Sequence, residues 1–381
     1  MKTILGLVLA LTVVAPSLGQ NWVLASAPST NWSCVASSAD GTKLVAAVNG
    51  GLIYISTNSG GAWMPTSAPT NAWTCVASSA DGTRLVAAAS WYRGDGFVYT
   101  SRDSGSTWSS ADASQAYWAS VASSADGSKL AAAGDVVHVS TDSGGTWTYL
   151  GPTGIPTSAT FPLISSTADG TTLAVVEVRA GSSQIFITSS SVWAPQVAES
   201  PAFESGACTS VAMSVDGARV AATVDAVNPS GPDPTNCASI LYDLSNSGAT
   251  QITNCTPVTN WTSVATSADG TRLAAVASSG DVYTSTNGGV AWTPNIVTNA
   301  NWSGIASSAD GAKLVAVASG GGIYTWQTTP TPTLNINRTG EDLQISWLIP
   351  SMSFVLQQSA DLGSTNWTAV ESAPIVNLTS L

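Results

Sequence analysis

The segment "SWYRGDGF" (residues 90–97, the aromatic loop) combines two aromatic rings, a guanidinium group and a carboxylate, in Trp91, Tyr92, Arg93 and Asp95. Aromatic rings stack on the apolar faces of sugars, while arginine and carboxylate groups exchange hydrogen bonds with sugar hydroxyls. The segment is therefore a candidate carbohydrate-binding loop. The alternative is a solvent-exposed loop whose aromatic rings only cover a neighbouring element.

Further charged residues lie in two other irregular segments, "EVRAGSSQ" (residues 177–184) and "DAVNPSGPDPTNCAS" (residues 225–239). Glu177 and Arg179 in the first segment extend the candidate ligand-binding set. Glycoside hydrolysis needs two carboxylates roughly 5 to 10 Å apart. The candidate catalytic carboxylates are Asp95, Glu177, Glu204, Asp225 and Asp233.

The sequence lacks the residue patterns that other classes of enzyme require. The single histidine, His138, is placed within a predicted strand, where packing is the expected role. We find no Ser-His-Asp order, no phosphate-binding loop, no redox cysteine pair and no metal-ligand spacing. We therefore expect no cofactor and no metal.

An Asp-Gly pair recurs along the chain and defines seven repeats, each turn lying 41 to 53 residues from the next. Each repeat predicts four short strands joined by Asp-Gly, Asn-Gly or similar tight turns. Four strands at this period are typical of a β-propeller blade. Repeats 1 to 7 are numbered by Asp40, Asp81, Asp126, Asp169, Asp216, Asp269 and Asp310.

A second signature, SxDxGxxW or its Asn variant, stands at the predicted third turn of four repeats, in residues 56–63, 101–108, 140–147 and 285–292. It resembles the Asp-box, or BNR, repeats of sialidase-like and sortilin-like propellers. The resemblance implies a turn between third and fourth strands, with the Asp capping backbone amides and the Trp packing between blades. The expected fold class is all-β, a seven-bladed β-propeller.

The resemblance also implies which face carries function. In such propellers the first and third turns of every blade lie on one face, and the remaining loops gather on the other around the channel mouth. The aromatic loop and residues 177–184 and 225–239 belong to that second face. Loop insertions on a rigid scaffold commonly carry specificity.

Sialidases of this family use three arginines to hold the substrate carboxylate. Here three arginines follow the Asp-Gly turn at the position that Lys43, Lys129 and Lys313 hold in other repeats, which predicts a structural role. Sialidase activity is therefore disfavoured. These arginines are Arg84, Arg219 and Arg272.

Five tryptophans each precede an Asp-Gly turn by eight residues: Trp32, Trp73, Trp118, Trp261 and Trp302. They fall near the start of the innermost strand. Two interpretations are open, a ring of stacking surfaces at the channel mouth or packing between blades. One equivalent Trp per repeat favours packing.

Repeat 7 ends at Trp326 without a fourth strand, whereas residues 22–28, "WVLASAP", copy the fourth strand of repeat 1, "WMPTSAP". We therefore expect the N-terminal segment to supply the missing strand of repeat 7. This pairing leaves no open sheet edge at the seam.

Residues 1–19 have one lysine, a short apolar run and small residues before Gln20, the pattern of a secretory signal peptide. Residues 20–326 form the predicted propeller and residues 327–333 a Pro/Thr linker. Residues 334–381 alternate like strands and resemble small C-terminal β modules of bacterial secreted repeat proteins. No later stretch approaches the roughly 20 apolar residues of a membrane span.

Net charge is −12, with 23 acidic and 11 scattered basic residues, which disfavours nucleic acid and anionic membranes as partners. Secretion makes disulfides expected. Their pairing stays open among Cys34, Cys75, Cys208, Cys237 and Cys255.

Together these features predict a secreted propeller that binds a glycan or polysaccharide through inserted loops on one face. Two alternatives remain open. One is a polysaccharide-degrading glycoside hydrolase that uses two of the candidate carboxylates. The other is an extracellular scaffold that binds protein.

Overall fold

A computed structural model describes residues 8–12, 22–90, 94–111, 113, 115–150, 160–179, 182–191, 206–226, 239–243, 250–253, 260–278, 280–327, 334–339, 342–347, 355–359 and 368–369. Within these ranges the chain consists of β-strands and turns, without a helix. No helix of the described residues is therefore long and apolar enough to span a bilayer.

The strands up to repeat 2 are β1 (Val8–Thr12), β2 (Val23–Leu24), β3 (Thr30–Ser37), β4 (Leu44–Gly51), β5 (Ile53–Ser56), β6 (Met64–Pro65), β7 (Asn71–Ser78), β8 (Leu85–Ala89), β9 (Val98–Ser101) and β10 (Ser109–Ala111). Those of repeats 3 to 5 are β11 (Ser120–Ser123), β12 (Leu130–Ala133), β13 (Val137–Ser140), β14 (Thr148–Tyr149), β15 (Thr160–Ser166), β16 (Thr172–Arg179), β17 (Ser182–Ser189), β18 (Gly206–Met213), β19 (Arg219–Ala226), β20 (Ser239–Asp243) and β21 (Thr250–Thr253). The remainder are β22 (Trp261–Thr266), β23 (Leu273–Ala277), β24 (Gly280–Ser285), β25 (Thr293–Ala300), β26 (Trp302–Ser307), β27 (Lys313–Gly321), β28 (Ile323–Gln327), β29 (Leu334–Thr339), β30 (Asp342–Trp347), β31 (Val355–Ser359) and β32 (Thr368–Ala369).

The chain divides into two compact units, one of residues 22–327 and one of residues 1–21 with 328–381. In the second unit β29 pairs with β30, and β31 pairs with both β1 and β32. Strand β1 lies inside the segment predicted to be a signal peptide. Cleavage before Gln20 would remove this strand from the unit.

The larger unit follows the repeats. Each repeat is an antiparallel meander in the described residues, with four strands in repeats 1, 2, 3, 5 and 6 and three in repeat 4. In repeat 7, β2 pairs antiparallel with β28, with Val23 opposite Thr325 and Leu24 opposite Tyr324. The N-terminal segment thus occupies the position of the fourth strand that repeat 7 lacks.

The second strand of each repeat is apolar on both faces. In β4 the residues Leu44 to Val48 are all buried although their side chains alternate between the two sides of the sheet. Val45 and Ala47 pack against repeat 2, while Leu44, Ala46 and Val48 pack against repeat 7. Each sheet therefore needs a neighbouring sheet on both faces.

The described core residues form one apolar cluster for each pair of neighbouring repeats. The pairs include repeats 7 and 1, where Val315, Val317 and Ile323 pack on Trp32 and Val35. At the same seam β27 pairs with β3, with Ser319 opposite Asn31 and Gly321 opposite Thr30. The first and last repeats are therefore joined by both packing and backbone hydrogen bonds.

The Asp-Gly turns connect neighbouring repeats through their backbones. The residue before each Asp donates its N–H to the carbonyl of the equivalent residue in the next repeat. Among the described residues these bonds form a cycle of donors and acceptors, at 2.7 to 2.9 Å, through Ala39, Ala80, Ala125, Ala168, Val215, Ala268, Ala309 and back to Ala39.

The Asp side chain organises each turn. Asp40 Oδ1 accepts hydrogen bonds from Ser38 Oγ at 2.6 Å and from the backbone N–H of Thr42 at 2.9 Å. These bonds, with the hydroxyl bond first, lower the pKa of Asp40 to about 2. The same arrangement lowers to about 2 the pKa of Asp81, Asp126, Asp169 and Asp269.

In every repeat except repeat 4, which carries Thr172 at this position, the basic residue after the turn contacts the turn of the next repeat. Gly82 has φ +67°, and a Cβ atom there would lie 2.7 Å from the Lys43 side chain, so both conformation and space require glycine. Arg84, Arg219 and Arg272 lie in the same way against the next turn, which confirms their predicted structural role.

We predict that Asp81→Ala lowers the midpoint of thermal unfolding at pH 7 by roughly 2 to 4 °C, because the turn loses an acceptor of hydrogen bonds. The native pKa of Asp81, about 2, lies below the unfolded value of about 3.9. The carboxylate therefore stabilises the fold above about pH 4, and this contribution disappears as the pH falls through about 2.

The measurement is calorimetry of both proteins from pH 7 to pH 2, with Asp281→Ala as the control for loss of a carboxylate outside the turns. The difference between wild type and Asp81→Ala should shrink across this range. A difference that is equal at pH 7 and pH 2 would contradict the assigned role of the carboxylate.

Candidate functional site

The end of the aromatic loop is fixed by Asp95. Asp95 Oδ1 accepts the backbone N–H of Phe97 at 3.0 Å, and Oδ2 accepts a hydrogen bond from Tyr99 Oη. Burial, followed by this bond, raises the pKa of Tyr99 to about 12. The carboxylate thus connects the loop to strand β9.

Neighbouring segments hold the same loop from both sides. Asn71 Oδ1 accepts the N–H of Asp95 at 3.4 Å, and Gln115 Nε2 donates to the Asp95 carbonyl at 3.1 Å. A Cβ atom at Gly94 would lie 2.3 Å from Asn71 Oδ1 and 2.7 Å from the Ser90 carbonyl, so only glycine fits. The C-terminal end of the loop is consequently held by side chains of two neighbouring segments.

The central residues of the predicted site, Trp91, Tyr92 and Arg93, lie outside the described residues. Their immediate neighbour Ser90 forms an antiparallel bridge with Tyr117. The loop therefore leaves strand β8 directly beside the segment that leads into repeat 3.

Tyr117 is a residue of this region that the sequence reasoning missed. Its side chain is 48% exposed, and its backbone N–H lies 3.4 Å from Oδ2 of the exposed Asp135. An aromatic ring and a carboxylate thus lie beside the aromatic loop. The signal was present in the sequence, because the residue before the repeated Trp is Asn or Ala in the other four Trp-bearing repeats.

Glu177 lies on β16 opposite Gln184 of β17 and is only 4% exposed. Arg179 is the last residue of β16, opposite Ser182, and Asp225 lies in β19 opposite Ala207. The side chains of these last two residues are outside the described part of the chain. Two further predicted carboxylates, Glu204 and Asp233, lie wholly outside it.

The five repeated tryptophans are buried, each at 1% exposure or less: Trp32, Trp73, Trp118, Trp261 and Trp302. Trp73 Nε1 donates to the Gly51 carbonyl of the preceding repeat at 3.1 Å, and Trp302 Nε1 donates likewise to Gly280 at 2.9 Å. Packing between repeats, the favoured interpretation, is confirmed. These rings are not available to stack on a ligand.

Each of these tryptophans also meets an aromatic residue of its own third strand, with ring centroids 5.1 to 5.5 Å apart. In repeat 3 this partner is His138, which stacks edge-on against Trp118 at 5.5 Å. Burial lowers the pKa of His138. The histidine is therefore a packing residue in the place that Tyr holds elsewhere.

The four SxDxGxxW turns share one hydrogen-bond pattern. In repeat 2, Ser101 Oγ donates to Asp103 Oδ1 at 2.9 Å and accepts the N–H of Gly105, while Thr107 N–H donates to Asp103 Oδ1 at 2.8 Å. The Asn variants do the same in repeat 1, where Ala62 N–H donates to Asn58 Oδ1 at 2.8 Å. The Asp or Asn oxygen caps the turn, as the resemblance implied.

We predict that Asp95→Ala raises the rate of trypsin cleavage after Arg93 about thirtyfold, since the loop loses two hydrogen bonds of roughly 1 kcal/mol each. The rate is measured by mass spectrometry of the fragment that ends at Arg93. Tyr99→Phe removes one donor only and should give a smaller increase. An unchanged rate in both variants would show that Asp95 does not anchor the loop.

Neither a family model nor a curated protein sequence matches the chain. Similar solved structures include "YCF48 bound to D1 peptide", with a TM-score of 0.58 and 12% identity over 81% of this chain and 96% of that one. Hydrazine synthase of Kuenenia stuttgartiensis has a TM-score of 0.62 and 13% identity, over 81% of this chain and 97% of that one. YCF48 from Cyanidioschyzon merolae has a TM-score of 0.58 and 14% identity, over 81% of this chain and 98% of that one.

These similar structures are β-propeller proteins, and each is matched along nearly its whole length. The predicted β-propeller fold is therefore confirmed. At such low identity the likeness carries the fold alone.

Proposed function

We propose that this chain is a secreted β-propeller that binds a glycan through the aromatic loop and the exposed Tyr117 beside it. The observation that carries the proposal is the exposed tyrosine bridged to Ser90 at the start of that loop. Tyr117 and Asp135 add a ring face and a carboxylate to the Trp91, Tyr92 and Arg93 of the sequence. This combination suits sugar rings and their hydroxyls.

In this proposal Asp95 is a positioning residue. Its carboxylate accepts hydrogen bonds from Phe97 N–H and from Tyr99 Oη of β9, and so fixes the end of the loop. A loop fixed before binding loses less conformational entropy when the ligand arrives. Arg93 remains the proposed hydrogen-bond donor to the ligand, and Arg179 remains a further predicted ligand-binding residue. Glu177 leaves the proposed ligand-binding set, because its side chain is only 4% exposed.

The proposal extends to the architecture. We infer that the seven repeats are the blades of a closed seven-bladed propeller of the Asp-box kind, with β2 as the outer strand of the last blade. The cycle of backbone hydrogen bonds and the packing of repeat 7 on repeat 1 support this arrangement. The shared turn hydrogen bonds support the Asp-box assignment.

Binding is favoured over glycoside hydrolysis by the surroundings of the described carboxylates. Asp95 is engaged by the loop, and Glu177 is buried at 4% exposure. A catalytic pair must face a shared substrate across an open cleft. Hydrolysis would therefore rely on Glu204, Asp225 and Asp233.

A peptide is the second candidate ligand, because the similar YCF48 structure holds a bound peptide. Exposed aromatic rings with a neighbouring carboxylate and arginine also suit peptide side chains. The same surface would serve in both cases. The two candidates differ in the ligand class that competes for it.

We predict that Tyr117→Ala weakens glycan binding about tenfold, because a stacked ring of this kind contributes roughly 1 to 2 kcal/mol. Binding is measured by a glycan array and by calorimetry with the best glycan. Trp91→Ala and Arg93→Ala should abolish binding. Tyr149→Ala is the matched control. Tyr149 is similarly exposed, at 50%, but lies on the edge strand β14, outside the proposed site.

The same samples are tested for reducing-sugar release from a polysaccharide panel and for binding to a peptide library. Binding without sugar release supports the proposal. Sugar release would overturn it in favour of the hydrolase, and selective peptide binding would favour the protein scaffold. Equal affinity of wild type and Tyr117→Ala would remove Tyr117 from the site.

A further inference from the structure

Two cysteines of neighbouring repeats lie in contact. Cys34 on β3 and Cys75 on β7 each stand six residues before the Asp-Gly turn of their repeat, and their Sγ atoms are 3.5 Å apart. Both side chains are half-buried and pack against the clusters that fill the junctions on either side of repeat 2. The two thiols therefore face each other across the junction of repeats 1 and 2.

The repeats explain why Cys34 is directed toward Cys75. In repeats 5 and 6 the equivalent residue is serine, and its hydroxyl accepts the N–H of the next repeat's first strand, Val264 to Ser210 at 3.1 Å and Ile305 to Ser263 at 3.2 Å. Cys34 Sγ accepts the N–H of Val76 at 3.4 Å in the same way. This side chain thus points into the neighbouring first strand, where the adjacent residue is Cys75.

We propose that Cys34 and Cys75 form a disulfide bond in the exported protein, a covalent link between the first strands of repeats 1 and 2. An S–S bond is about 2.05 Å long. The sulfurs at 3.5 Å must therefore approach by roughly 1.5 Å, a movement that side-chain rotation supplies. The bond closes a loop of 41 residues between the two positions.

The oxidant of this step is a low-molecular-weight disulfide, RSSR. The Cys75 thiolate attacks one sulfur of RSSR, which releases RS⁻ and leaves a mixed disulfide on Cys75. Cys34 then loses its proton, attacks the Cys75 sulfur and expels the second RS⁻. The protein loses two electrons and two protons, and RSSR is reduced to two RSH molecules.

The environments of the two thiols favour this order. The hydrogen bond that Cys75 accepts from Cys34 lowers the pKa of Cys75, and the same contact raises the pKa of Cys34. Cys75 is accordingly the better initial nucleophile. Cys34 is held beside it as the resolving thiol.

Trypsin separates the two cysteines. Cleavage at Lys43 and Arg84 places Cys75 alone on the fragment of residues 44–84, while Cys34 lies on the fragment that ends at Lys43. Cys208 lies on residues 180–219, and Cys237 and Cys255 lie together on residues 220–272. A Cys34–Cys75 bond therefore gives a linked pair of fragments whose mass no other pairing produces.

The full chain is purified in oxidised glutathione, treated with N-ethylmaleimide in denaturant without reductant, digested and analysed by mass spectrometry. We expect the fragment of residues 44–84 linked to the one that ends at Lys43. Both fragments recovered separately with alkylated cysteines would overturn the proposal. A link from either cysteine to Cys208, Cys237 or Cys255 would overturn it equally.

The double variant Cys34→Ser/Cys75→Ser is the matched control, because serine is the residue that other repeats carry at this position. Reduction should lower the midpoint of thermal unfolding of the wild type by about 5 to 10 °C more than that of the variant. Equal shifts in the two proteins would show that no stabilising bond joins Cys34 and Cys75.

Discussion

The architecture depends on the packing of small sheets against each other on both faces. In β4 the run from Leu44 to Val48 is buried throughout, although alternate side chains point to opposite sides. A sheet with two apolar faces cannot stand at the end of a row without exposing one of them. Repeat 7 packs on repeat 1 through Val315, Val317 and Ile323, so neither terminal sheet is left with an exposed face.

This constraint determines how most polar residues are used. The Asp-Gly turns of neighbouring sheets must lie beside each other. Hydrogen bonds of the Asp side chains shape these turns, and basic residues contact the turn of the next repeat. Of the 23 acidic residues, those in the repeated turns therefore serve to stabilise the fold. Polar side chains that are available to contact a ligand are therefore expected in the segments that interrupt the repeat.

The sequence was sufficient to predict the structural features that recur from one repeat to the next. The turns at Asp40 and its equivalents, the packing role of Trp73 and the pairing partner of β2 follow from patterns that recur or are copied. Tyr117 stands out in the sequence as a departure from the repeat, but its position beside the aromatic loop and the anchoring of Asp95 could not be predicted. Both depend on contacts between segments 20 to 27 residues apart, Asp95 with Gln115 and Ser90 with Tyr117, which no periodicity encodes.

The same reasoning supports the proposed position of the ligand site at the interruption of repeat 2. The sheet below the aromatic loop is clamped on both faces, and Asp95 connects the loop to Tyr99 within that sheet. The rigidity of the scaffold is thereby transmitted to Asp95, a residue outside the repeated turns. A loop of equal composition without such an anchor would lose the entropy of ordering when it binds, and its affinity would fall accordingly.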